Sequence, residues 1–282
     1  MATDLRAVHV RSTGLELHAL ERNPGGRPPV LFLHGWLDHG HGFDPLIEAL
    51  PASWHTLALD FRGHGQSAHL REGLYHFPDY LADVEAAVAH LGAPVHLVGH
   101  SMGGAVSLMY ASARPDAVRS VTAVENLGPF GAEALSLPDR LAAFVSDLSK
   151  PLRKRTYPSL EAAVARVREN NSSLAPEAAN LLTRFGTHPV PGGVQFTFDP
   201  ALRHHSGLVL NEEQILQLLR AVRCPVQAIH GTHGMTLEDG QMKERLAALR
   251  NPRVHAVPGG HHVHLDRPAE VAAHVQRFVE GL

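Results

Sequence analysis

Short apolar runs alternate along this chain with helix-period segments, and each run gives way to a polar loop punctuated by glycine. These observations predict the α/β class: a mostly parallel, doubly wound sheet with a helical stretch inserted between two of its strands. The 282 residues, 44% hydrophobic and 19% charged, are enough for a large core. Because the alternation breaks once, the expected organisation is a core over 1–126, a helical insertion over 127–210 and a second core portion over 211–282.

In chain order, residues 7–22 alternate around Ser12-Thr13-Gly14 and read as a β-hairpin. Val30–Leu33 is a continuous apolar run, closed by His34-Gly35-Trp36, as expected of a strand buried on both faces. A short helix over Pro45–Leu50 precedes the strand Thr56–Asp60. Tyr80, Leu81, Val84, Ala87, Val88 and Leu91 share one helical stripe, and Gly92 stands where a C-cap belongs. A strand ending at Val98, the segment 99–103 and a small-residue helix follow, then the strand Val118–Val124. Between 127 and 210 the pattern changes to helices over Arg140–Leu148, Ser159–Glu169 and Pro176–Phe185, with a strand over Val194–Phe198. The core resumes with a helix at Gln214–Val222, a strand at Val226–Ile229, a helix over Leu237–Leu249, a strand at Arg253–Val257 and a closing helix over Pro268–Leu282.

A net charge of −3 and a pI near 6.7 exclude the basic excess of a nucleic-acid binder. The single cysteine, Cys224, allows no intrachain disulfide, and no apolar run approaches the ~18 residues of a membrane helix. The start of the chain lacks the pattern of a signal peptide, so the expectation is a cytoplasmic protein without nucleic-acid or membrane partners. The sequons at Asn170 and Asn171 are then idle. Histidine is abundant, at 22 residues, yet His204-His205 and His261-His262-Val263-His264 have no cysteine or paired carboxylate at ligand spacing. No metal or cofactor is expected.

The chemistry centres on Gly99-His100-Ser101-Met102-Gly103, a Gly-x-Ser-x-Gly pentapeptide between a strand and a helix. A serine raised on so sharp a turn needs neighbours without a Cβ, which the glycines supply. Ser101 is the candidate nucleophile, and it needs a base within hydrogen-bond reach. His261, on the loop after the last strand and preceded by Gly259-Gly260, is the expected base; His262 is its nearest rival, and His264 reads as packing against the closing helix. Backbone N–H groups of Met102 and Trp36 would form an oxyanion hole. The loops at 34–36, 60–67, 99–103, 125–128, 230–234 and 258–264 all follow strand carboxyl ends and should converge on one edge. Within them, Asp60 and Arg62 read as pinning their loop by bonding to one another, and Arg153-Lys154-Arg155 as a solvated helix end, with an anion contact such as a coenzyme A phosphate as its rival.

Four motifs in order carry a family resemblance: His34-Gly35-Trp36, Asp60-x-Arg62-Gly63-His64-Gly65-x-Ser67, Gly99-x-Ser101-x-Gly103 and Gly260-His261-x-x-His264-Leu-Asp-Arg-Pro268. Together they resemble the α/β-hydrolase superfamily, most of all its serine-hydrolase-like group of cap-bearing esterases. The resemblance covers nearly the whole chain outside the insertion. It implies an α/β-hydrolase fold, a cap over the site and no cofactor. Members usually carry the triad acid in a turn after the penultimate strand, but that turn here reads His230-Gly231-Thr232-His233-Gly234. A superfamily variation seen among some haloalkane dehalogenases moves the acid to the end of the strand after the elbow helix, where Glu125 stands; Glu238 and Asp239 are the alternatives. Dehalogenases and epoxide hydrolases attack with an aspartate, so Ser101 separates this chain from both. The expected activity is hydrolysis of a small-molecule carboxylic ester through an acyl-enzyme, under a roof that includes Phe130, Leu135, Leu137, Phe144, Tyr157 and Phe185. A thioesterase, a C–C bond hydrolase and a non-catalytic ligand-binding protein are the other readings.

Overall fold

The computed structural model of the protein describes residues 5–131, 136–234 and 240–282. Ten strands follow in chain order: β1 (Arg6–Ser12), β2 (Leu15–Arg22), β3 (Pro29–Leu33), β4 (His55–Leu59), β5 (Val95–His100), β6 (Val118–Val124), β7 (Thr187–Val190), β8 (Gly193–Phe196), β9 (Val226–Gly231) and β10 (Arg253–Val257). Eight of them form one sheet in the order β1-β2-β4-β3-β5-β6-β9-β10. Only the β1–β2 and β2–β4 pairings are antiparallel, so the predicted parallel sheet is present with the predicted hairpin at its edge. Thr13 and Gly14, both at positive φ, make the hairpin turn.

The helices are α1 (Asp44–Glu48), α2 (Tyr80–Leu91), α3 (Met102–Ala113), α4 (Leu137–Leu148), α5 (Leu160–Asn170), α6 (Pro176–Phe185), α7 (Glu212–Ala221), α8 (Gly240–Ala248), α9 (Val263–Asp266) and α10 (Pro268–Glu280). Every residue of β3 and β4 is buried, as a strand covered on both faces must be. One face packs on α2, α3 and α7 through Val84, Val106 and Leu219; the other packs on α1 and α10 through Leu46, Val271 and Val275. The stripe read for α2 is buried at Tyr80, Val84, Ala87 and Leu91, and Gly92 caps the helix at φ 67°. Helix α7 starts earlier than its apolar period implied, because Asn211 and Gln214 form a reciprocal capping box. The four-residue helix α9 has no period to betray it.

Between β6 and α7 lie α4, α5, α6 and the small hairpin β7–β8. Ser136 and Ser159 cap α4 and α5 through their hydroxyls. This segment has its own small apolar cluster, in which Leu174, Ala178 and Ala179 pack with Leu265. Leu135, Leu237, Glu238 and Asp239 lie outside the described residues. No helix among the described residues is long and apolar enough to cross a membrane.

Candidate active site

Ser101 stands between β5 and α3 at φ 49° and ψ −115°, a backbone conformation that costs a non-glycine residue energy. Its surroundings hold it there. The Ser101 N–H donates to Val124 O at 2.9 Å, joining the turn to β6. A Cβ at Gly103 would overlap the backbone carbonyl of Leu33, and one at Gly99 would overlap the carbonyl of Gly103. The glycines of the pentapeptide are therefore fixed by close backbone approach, as the motif predicts.

Glu125 ends β6 at φ 58° and is buried, and its N–H donates to Ile229 O at 2.9 Å. Its Oε1 accepts the Gly231 N–H, and its Oε2 lies 3.2 Å from His261 Nδ1. A Cβ at Gly234 would collide with this carboxylate. The turn that usually supplies an acid thus supplies room and a backbone donor to an acid arriving from β6. His261 extends from the loop before α9 with its side chain 47% exposed, and both it and Ser101 line one cavity of about 1070 Å³. No hydrogen bond joins the Ser101 hydroxyl to His261 among the described residues, a contact that commonly tightens only with substrate bound. The N–H groups of Trp36 and Met102 have no acceptor among the described residues; both residues line the cavity. The indole of Trp36 reaches the intervening segment, its Nε1–H donating to Leu202 O at 3.3 Å.

Strands β3, β4, β5, β6, β9 and β10 run parallel, so the six loops leave one edge of the sheet as expected. Loops 34–36, 99–103, 125–128 and 258–264 line the cavity there, and 60–67 and 230–234 do not. Asp60 and Arg62 do not bond to one another. Asp60 accepts from Gly40 N and Gln66 N and contacts His18 Nδ1 at 2.8 Å, while Arg62 forks onto Asp83 at 2.7 and 3.0 Å. Burial alone would raise the Asp60 pKa, but the hydrogen bond and charge of His18, together with His34 and His39, outweigh it and hold the carboxyl well below its ordinary range. His34 Nε2 in turn accepts the Phe61 N–H at 3.0 Å, tying the 60–67 loop to the glycine turn beside Ser101.

Of the apolar residues expected in the roof, Phe130 and Tyr157 line the cavity. Leu137 is exposed, Phe144 sits beside Gly207, and Phe185 stacks on His41 at 3.8 Å. Phe196, on a hairpin whose first strand the sequence did not reveal, and Phe198, two residues beyond it, take their places. Arg153-Lys154-Arg155 is not a helix end, since it lies in the coil between α4 and α5; Arg153 and Arg155 are exposed to solvent as expected, and all three line the mouth of the cavity.

One histidine acquires a place that sequence reasoning missed. His100, buried beneath the nucleophile, donates from Nε2 to the backbone carbonyl of His261 at 2.8 Å, so it fixes the loop that carries that residue. Burial, with the neighbouring histidines, holds His100 neutral, its pKa well below the ordinary value. His264 is buried, as a packing residue should be, with its ring 4.1 Å from that of His100 and 5.3 Å from that of Phe43. Asp38, His100 and His264 bring ligand-type atoms within 4.8 Å of one another, and Asp38 Oδ2, His100 Nδ1 and both His264 nitrogens are unpartnered. His262 lines the cavity beside His261, with its ring 5.2 Å from that of His100.

A serine on a strained elbow, a histidine facing a buried carboxylate and two unengaged N–H groups are the parts that acyl transfer requires. The family model of the alpha/beta hydrolase fold matches residues 28–268, and the chain belongs to that family. A serine hydrolase-like protein of Danio rerio is 30% identical over 279 residues, covering 94% of this chain and 85% of that protein. The crystal structure of a hypothetical protein from Pseudomonas aeruginosa PAO1 is similar at 35% identity and a TM-score of 0.88, covering 98% of each chain. A thioesterase domain from the curacin biosynthetic pathway is similar at 26% identity and a TM-score of 0.85, covering 96% of this chain and 99% of that one.

Proposed function

We propose that this hydrolase cleaves a carboxylic ester through an acyl-enzyme, with Ser101 as nucleophile, His261 as general base and acid, and Glu125 as the carboxylate that orients His261. The observation that carries the reading is the 3.2 Å contact between His261 Nδ1 and Glu125 Oε2, made beside a serine held at positive φ. With Nδ1–H directed at Glu125, Nε2 is left to accept the Ser101 proton as Oγ attacks the carbonyl carbon. The Met102 and Trp36 N–H groups receive the oxyanion of the tetrahedral intermediate. Collapse breaks the ester C–O bond, and the departing alkoxide takes the proton from His261. Water then repeats the sequence on the acyl-enzyme, giving its proton to His261 and releasing the acid and Ser101. Residues 127–210 act as a cap that shapes the acyl pocket, with Phe130, Tyr157, Phe196 and Phe198 on its inner wall.

A thioester substrate is the second reading, favoured by the likeness to the curacin thioesterase domain. The test is a series of p-nitrophenyl esters of increasing chain length beside acyl thioesters, together with a fluorophosphonate probe. Ester turnover and covalent labelling of the wild type, both lost in Ser101→Ala with kcat down by about 10⁶-fold, are expected. Thioester turnover alone would move the substrate class. A folded wild type that neither turns over nor takes the label would turn the reading to ligand binding.

A further inference from the structure

The cavity over Ser101 is electrically lopsided. Among the described residues, Arg153, Lys154, Arg155, Arg166 and Arg203 line it against one carboxylate, Asp38, which sits on the core side. The chain as a whole carries a net charge of −3, so this wall is a local concentration of positive charge and not a sample of the surface. Arg166 is paired with Glu169 at 3.0 Å; Arg153, Lys154, Arg155 and Arg203 have no carboxylate within ion-pair distance among the described residues.

Three of these cations, Lys154, Arg155 and Arg203, are held in place. The Arg155 guanidinium lies 4.9 Å over the Tyr157 ring and that of Arg203 lies 5.1 Å over Phe198. Phe196 stands between, stacked on Phe198 at 5.4 Å and edge-on to Tyr157 at 5.5 Å. The Lys154 ammonium is half-buried and donates to Thr197 O at 3.2 Å, in the short stretch that joins the two phenylalanines. A guanidinium laid on a ring uses its face and keeps its in-plane N–H groups for a planar acceptor. In a cleft with low-dielectric walls such an arrangement draws in anions and fixes their position.

We propose that this cationic and aromatic wall is an anion subsite, and that the substrate of the Ser101 reaction carries a carboxylate or phosphate remote from the carbonyl that is attacked. The proposal rests on the hydrolase reading for its substrate, though not for its anion. The anion has two possible sources, an acidic acyl chain or the phosphates of a coenzyme A thioester, and matched pairs separate them.

The experiment compares the p-nitrophenyl half-ester of adipic acid with p-nitrophenyl methyl adipate, and butyryl-coenzyme A with the butyryl thioester of N-acetylcysteamine. In the wild type one charged member is expected to exceed its neutral partner in kcat/KM by about 10-fold or more, an advantage that shrinks as salt rises from about 20 to 300 mM. In R153Q/R203Q the charged-to-neutral ratio is expected to fall towards unity, with the melting temperature measured alongside to show that the variant is folded. Should the double variant fail to fold, Lys154→Gln is read on the same ratio. Calorimetric titration of adipate and of coenzyme A into the wild type supplies a readout that needs no turnover. Binding of either, weakened in R153Q/R203Q, supports the subsite even where no ester is cleaved, and that outcome would count against the hydrolase reading alone. Equal kcat/KM within both pairs, or no binding of either anion, overturns the proposal.

Discussion

The cavity's two walls are built on different principles. The core wall is made of strand ends: Ser101, Glu125 and the loop of His261 leave β5, β6 and β10 within a sheet whose central strands are wholly buried. Each is tied to its neighbour by backbone hydrogen bonds or by close approach at a glycine. The opposite wall, from 127 to 210, packs around a small cluster of leucine and alanine and presents Leu137, Val145 and Leu148 of α4 to solvent, with Phe130 81% exposed. Its seat on the core joins the apolar contact of that cluster with Leu265 to side-chain hydrogen bonds: Tyr75 OH to Asp199 at 2.8 Å, His39 Nε2 to Leu182 O at 2.9 Å and the Trp36 indole to Leu202 O. Ser101, Glu125 and the loop of His261 are thus fixed by backbone contacts within the sheet, which the other wall does not share.

The largest effect that could break this contrast is at Glu125. Glu125→Gln keeps the shape but loses the orienting charge, and kcat should fall by about 10³–10⁴-fold with KM little changed. A near-normal rate there, beside a collapse for Asp239→Asn, would move the acid from Glu125 to Asp239.

A second prediction sharpens the account of the core wall through pH. Burial lowers the pKa of His64 to about 3 and that of His96 to about 4, and holds His100 and His264 well below the ordinary value. In the unfolded chain these rings titrate near 6.5, so between that pH and their folded values the unfolded state binds more protons. Stability is then fully present above about pH 6.5 and falls as the pH drops below it, by roughly 1 kcal/mol at pH 5.5 for each fully buried histidine. Urea unfolding at pH 7.5 and 5.5 measures this, and a flat profile would show that these rings are hydrated in solution.

The smallest effect belongs to the seat of the second wall. Tyr75→Phe removes the bonds to Asp199 and Leu70 N and should cost about 1 kcal/mol of stability. In ester assays the change is expected in KM more than in kcat, because Ser101 and His261 do not depend on this tether. A fall in kcat as large as that of Glu125→Gln would show that the two walls are mechanically one.

Glu125 was singled out by the family resemblance; the sequence by itself determined the sheet, the order of its elements and the elbow at Ser101. These follow from signals confined to a few neighbouring residues: apolar runs, helical stripes, and glycines at turns where no other residue fits. Helix α9 and strand β7 were not legible, the first too short to show a period and the second only four residues broken by Pro189. Only the tertiary structure decided that Arg62 bonds Asp83 and not Asp60, that His100 holds the carbonyl of His261, and that Arg153-Lys154-Arg155 faces the cavity. Each pairs residues far apart in the chain, and a charge or a histidine reads the same in sequence whether solvent or a buried partner receives it.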